Sequence, residues 1–159
     1  MRRRDLFKSA AAFPAAALAQ QPDWKPLTLD AHQNDTVIAL TDILIPATDT
    51  PGAKDARVNR YIDLFLTDGP EEQRTSFLAG LAWLDKYSRE QKGTTFRSLS
   101  RDAQTEIVKA LSQPNAPKPG AAFFSQAKRA TVSIYYATEV GHKELNKGGR
   151  VPKSFACTA

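Results

Sequence analysis

A single cysteine, Cys157, stands among the 159 residues, so no disulfide can close within the chain. In an oxidising compartment a leftover thiol points to a bond with another chain or to an exposed free thiol. The two histidines, His32 and His142, lie far apart, and the ligand spacings of zinc, haem-attachment and iron–sulfur sites are missing. There is no G-x-S-x-G around any serine, and Gly52-Ala53-Lys54 lacks both the first glycine and the trailing hydroxyl of a phosphate-binding loop. Asp42, Asp49 and Asp55 are too widely spaced for the alternating ligands of a calcium loop. Metal, cofactor and catalytic residues are therefore not assigned anywhere in this chain. No segment alternates with the period of two that a half-buried strand requires.

Long apolar runs are scarce as well. Residues 10–19 are uncharged and mostly alanine. As a helix they rise roughly 15 Å, half of a ~30 Å hydrocarbon core, so no permanent transmembrane anchor is expected. They follow the charged head Arg2-Arg3-Arg4-Asp5-Leu6-Phe7-Lys8 and end in Ala17-Leu18-Ala19. Cationic head, apolar middle and small-x-small end make an export signal, expected over 1–19 with cleavage at Ala17-x-Ala19. Arg3 and Arg4, followed by Leu6, Phe7 and Lys8, resemble a twin-arginine (Tat) signal with leucine and phenylalanine in swapped order. The Tat route exports folded cargo, so a periplasmic destination is expected.

The signal also carries most of the charge. Arg2, Arg3, Arg4 and Lys8 against Asp5 supply three of the formal +5, leaving +2 from Gln20 onward. No cluster of Lys and Arg interleaved with aromatics compensates, and nucleic-acid binding loses its support.

The remainder reads as an all-α protein: a compact bundle of about five helices over 20–142, then an irregular, extended tail over 143–159. Thr28 is expected to cap the first helix, which Pro46 ends. A second covers about 56–67, burying Val58, Ile62, Phe65 and Leu66. A third opens at Pro70, runs through Phe77, Leu81 and Leu84 to about Tyr87, and is terminated by Gly93. Ser100 caps the fourth, with Ile107, Val108 and Leu111 inward. The fifth spans about 121–140. In it "TVSIYYAT" has no charge over two turns, and Tyr135 and Tyr136 point different ways, so one face cannot bury both. That helix is central to the bundle or partly covered by another subunit. In the tail, Phe155-Ala156-Cys157 is an apolar patch bearing the lone thiol.

Between the first two helices, "IPATDTPGAKDA" (45–56) has the residue types of a tight corner. Pro51-Gly52 suits the centre of a type II turn, and Asp55 suits the cap of the next helix. His32 is expected to face solvent in the first turn of helix one. His142 is expected at a helix end, where its cation meets carbonyl dipoles.

The segment "LTDILIPATDTPGAKDARVNRYID" (40–63) resembles the gluconate 2-dehydrogenase subunit 3 family. The resemblance extends through "FLAGLAWLDKYSREQKGTTFRSLSRDAQTEIVKAL" and "FFSQAKRATVSIYYATEVGHKEL". It implies a small accessory subunit without flavin or haem of its own. Its partner would be a flavoprotein of the glucose–methanol–choline (GMC) class, which holds FAD and oxidises a sugar or sugar acid. A c-type cytochrome subunit with haem c would take the electrons. The twin-arginine signal would export the flavoprotein as folded passenger. Partner contacts are then expected from Pro46, Asp49, Pro51 and Gly52 in the corner, Tyr135 and Tyr136 in the fifth helix, and Phe155 and Cys157 in the tail. Two other readings use the same residues: an autonomous exported enzyme working through Asp42, Asp49 or Asp55, and a free-standing periplasmic helical module that binds a small ligand or another protein.

Overall fold

The computed structural model describes residues 24–146, and all regular structure in them is helical. The signal residues Arg3, Arg4, Leu6, Phe7, Lys8, Ala17 and Ala19, and Phe155 and Cys157 of the tail, lie outside the described residues. Six α-helices follow one another: α1 Ala31–Leu44, α2 Val58–Asp68, α3 Glu71–Lys92, α4 Arg101–Leu111, α5 Lys118–Ala137 and α6 Glu139–Leu145. A 3₁₀ turn, Phe96–Ser98, sits between α3 and α4.

The helix ends follow local chemistry. Asp30, not Thr28, caps α1: its carboxylate accepts the Gln33 N–H and the Gln33 side chain returns to the Asp30 N–H, a reciprocal capping box. Glu71 and Glu72 face the positive end of the α3 dipole, Arg89 and Lys92 its negative end, and left-handed Gly93 (φ 83°) closes it. That favourable last turn carries α3 five residues past the expected stop at Tyr87. Ser100 caps α4 as expected, accepting from the Ala103 N–H. The expected fifth helix breaks at Thr138, whose hydroxyl donates back to the Tyr135 carbonyl and accepts the Gly141 N–H. One threonine thus ends α5 and caps α6, and the helix persists beyond His142 to Leu145.

α5 is the central element, in contact with all five other α-helices. Val37, Leu40, Val58, Ile62, Leu66, Phe77, Leu84, Phe96, Ile107, Leu111, Phe123 and Tyr135 form one buried core around it. Each such large apolar side chain contributes about 1.5–3 kcal/mol on burial. The α3–α5 crossing is close because Gly80 has no side chain: a Cβ there would lie 2.1 Å from Phe123 Cδ2.

Two buried carboxylates organise what the apolar pattern cannot. Asp63 on α2 accepts three backbone N–H groups from the strap that precedes α1: Leu27 at 2.7 Å, Thr28 at 3.0 Å and Leu29 at 2.8 Å. Thr28 therefore ties the strap to α2, with its hydroxyl 2.7 Å from that of Thr67. Asp85 on α3 accepts the Phe96 N–H at 3.0 Å and pairs with His32 Nε2. His32 is thus engaged across the bundle rather than simply solvated, which joins α1 to α3.

Candidate partner-binding surface

The corner expected between the first two helices is present, but its construction differs. Gly52 does not adopt positive φ; that conformation falls to Arg57 (φ 55°), the residue before α2. No type II turn with glycine at its third position forms. Glycine is required by crowding instead, since a Cβ at Gly52 would meet Ala47 N at 2.5 Å and Ile45 O at 2.7 Å. Asp55 does not cap α2 either; its carboxylate accepts the Gly52 N–H at 2.9 Å and holds the corner closed. The Ala53 N–H donates to the Ile45 carbonyl at 2.9 Å across the same bend.

Tyr135 locks the corner to the C-terminal helices. Its hydroxyl lies 2.7 Å from the Pro51 carbonyl oxygen and 2.8 Å from Glu144 Oε2, and shares its one proton between these acceptors. Tyr135 is fully buried and Gly52 is buried, so both lie inside the fold of the single chain. Pro46, Asp49 and Pro51 are exposed and Tyr136 is half-buried. The two tyrosine rings meet edge to face, with centroids 5.1 Å apart.

Burial is the main reason the Tyr135 hydroxyl is pushed up to about 12, with the Glu144 hydrogen bond and charge adding to it. An unfolded tyrosine titrates near 10, so this contribution to stability is complete below pH ~10 and is lost as pH rises toward 12. Urea midpoints measured across that interval should fall more steeply for the wild type than for Tyr135→Phe. Parallel profiles would show that another group governs the alkaline limit.

The outward surface of α2 was not foreseen. Phe65, expected in the core, is 43% exposed, in line with Tyr61 at 50% and Leu64 at 42%. Val58, Ile62 and Leu66 already fill the inward face, which leaves the residues at 61, 64 and 65 turned to solvent. Two apolar faces on one eleven-residue helix were the available signal. Beside Phe65 an open groove of about 490 Å³ runs between the α2–α3 corner and α5. Phe65 and Gln73 form one wall, and Ala122, Arg129, Ala130 and Ile134 the other. The groove's exposed lining is mostly carbon, with Arg129 its one charged residue.

Asp42, Asp49 and Asp55 each have a separate partner. Asp42 pairs with Arg101, which also donates to the Asp42 carbonyl at 2.9 Å. Asp55 is committed to Gly52, and Asp49 is exposed and accepts from the Thr48 hydroxyl at 2.9 Å. Among the described residues, no three His, Cys, Asp or Glu side chains are grouped to hold a metal, and no helix is long and apolar enough to cross a membrane.

The described residues thus form an all-helical bundle with a glycine-dependent corner after α1, tied to α5 through Tyr135, and an apolar face exposed on α2. No curated protein and no solved structure matches the chain. Residues 31–149, from the first residue of α1 to beyond α6, match the family described as gluconate 2-dehydrogenase subunit 3, and the chain belongs to that family.

Proposed function

We propose that this chain is a non-catalytic accessory subunit of an exported dehydrogenase complex. It binds and stabilises a GMC-class, FAD-dependent sugar or sugar-acid dehydrogenase and escorts it through the twin-arginine route to the periplasm. The flavin belongs to that partner, and a c-type cytochrome with haem c accepts the electrons. The family membership over residues 31–149 carries the reading. The exposed row Tyr61, Leu64 and Phe65 supports it, because contiguous apolar surface on a soluble helix marks a site of association. The arginine pair ahead of a short uncharged stretch supports export of folded cargo. Cys157, with no second cysteine in the chain, is available to fasten the tail to a partner.

The export arm is tested by co-expressing the flavoprotein with this chain carrying Arg3→Lys and Arg4→Lys. Periplasmic dehydrogenase activity should drop to background while flavoprotein accumulates inside the cell. Undiminished export of active flavoprotein would refute the escort role.

A further inference from the structure

Building on the reading of the chain as a dehydrogenase subunit, we infer that the groove between α5 and the α2–α3 corner seats an amphipathic helix of the catalytic subunit. The apolar face of that helix lies against Phe65 and Ile134, and a carboxylate on it meets Arg129. Three observations specify this occupant. The first is length. The α5 wall runs from Ala122 to Ile134, a rise of about 18 Å or between three and four turns, enough to take the i, i+3, i+4 and i+7 anchors of a docked helix.

The second is the character of the walls. The long wall is α5, and its backbone N–H and C=O groups are spent on the helix's own i→i+4 bonds. An extended peptide gains affinity by pairing with a free sheet edge, and these walls offer none. A helix needs only side-chain contact. Ala122, Ser125, Ala130 and Ser133 along the wall are small enough to let a second helix axis approach closely.

The third is charge. Arg129 is exposed and forms no ion pair among the described residues, whereas Arg97 and Arg101 are each matched by an aspartate. An arginine at the edge of an apolar groove favours a carboxylate in its partner, through the bidentate geometry of the guanidinium. The apolar row continues beyond the groove through Leu64 and Tyr61, so the contact reaches onto the outer face of α2.

The test uses the full chain co-expressed with the flavoprotein dehydrogenase encoded nearest to it. Arg129→Glu should weaken association about tenfold or more, and Arg129→Lys should retain most of it. Ala130→Trp, which fills the groove without adding charge, should weaken it comparably. Circular dichroism melts confirm that each variant is folded. A photo-crosslinking residue at Ser133 should mark a helical, carboxylate-bearing segment of the flavoprotein. Wild-type association matched by Arg129→Glu and Ala130→Trp overturns the groove while leaving the subunit reading intact. Failure of the wild type to associate at all overturns both. Crosslinks to residues 147–159 of the same chain, or to a second copy, assign the groove to another occupant and overturn the inference.

Discussion

Gly52→Ala is expected to lower the thermal midpoint by about 10 °C, corresponding to roughly 3 kcal/mol in a domain of this size. The added methyl would stand 2.5 Å from Ala47 N, 2.7 Å from Ile45 O and 2.8 Å from Pro46 C. All three are backbone atoms, so no rotamer change relieves the overlap and the bend itself must open. Opening is resisted from both sides, by Asp55 on the Gly52 N–H and by the Ala53 N–H on the Ile45 carbonyl. The damage extends to the centre of the bundle, because moving Pro51 takes an acceptor from the buried Tyr135 hydroxyl. Pro51→Ala is the control: it keeps the carbonyl in place and should shift stability by no more than about 1 kcal/mol. A Gly52→Ala melt that overlays the wild type would show that the corner gives way freely and that crowding is not why glycine is there.

Asp63→Ala is expected to cost about 4 kcal/mol and to release the strap ahead of α1. One buried carboxylate satisfies three consecutive N–H groups, and removing it leaves all three without their acceptor. The strap has few other ties: the Thr28–Thr67 hydroxyl contact, burial of Leu29, and Trp24 lying under Arg60 with 5.2 Å from guanidinium to ring centroid. Asp63→Asn keeps one oxygen for Thr28 and Leu29 but turns a donor toward the Leu27 N–H, so its loss should fall between wild type and alanine. Limited proteolysis separates local release from global unfolding. Cleavage in residues 24–29 should accelerate in Asp63→Ala while α3 and α5 stay protected. Equal resistance of the strap in both proteins would mean that Asp63 is not its anchor.

Helices were legible where apolar spacing and terminal residues agreed. The segment from Pro70 to Gly93 carries acidic residues at its start, basic residues at its end and a left-handed glycine after it, all local signals. The split at Thr138 was hidden because Thr131 to Thr138 carries no charge, glycine or proline to mark a break. A side-chain hydroxyl serving two helix ends is a choice made by the folded chain. Phe65 was misplaced for a related reason. Hydrophobicity identifies residues fit for burial, but the inward face of α2 is already filled by Val58, Ile62 and Leu66 together with the polar Asn59 and Asp63. Asp63 and Asp85 were not singled out, although each sits at a core-facing helical position where a carboxylate needs partners. Those partners lie 34 to 36 residues away for Asp63, and 11 and 53 residues away for Asp85.

The amino-acid order alone determined the all-helical class, the capped or glycine-closed ends at Ser100 and Gly93 and, through the corner and the helices after it, the family. These follow from local rules, in which each residue acts within a turn or two of its position. Tertiary structure decided that Tyr135 is an internal lock and that Gly52 answers crowding rather than φ. It also turned α2's second apolar face outward beside a groove that holds Arg129. Such outcomes depend on which distant surfaces compete for the same interior volume, a competition that spacing along a chain does not record.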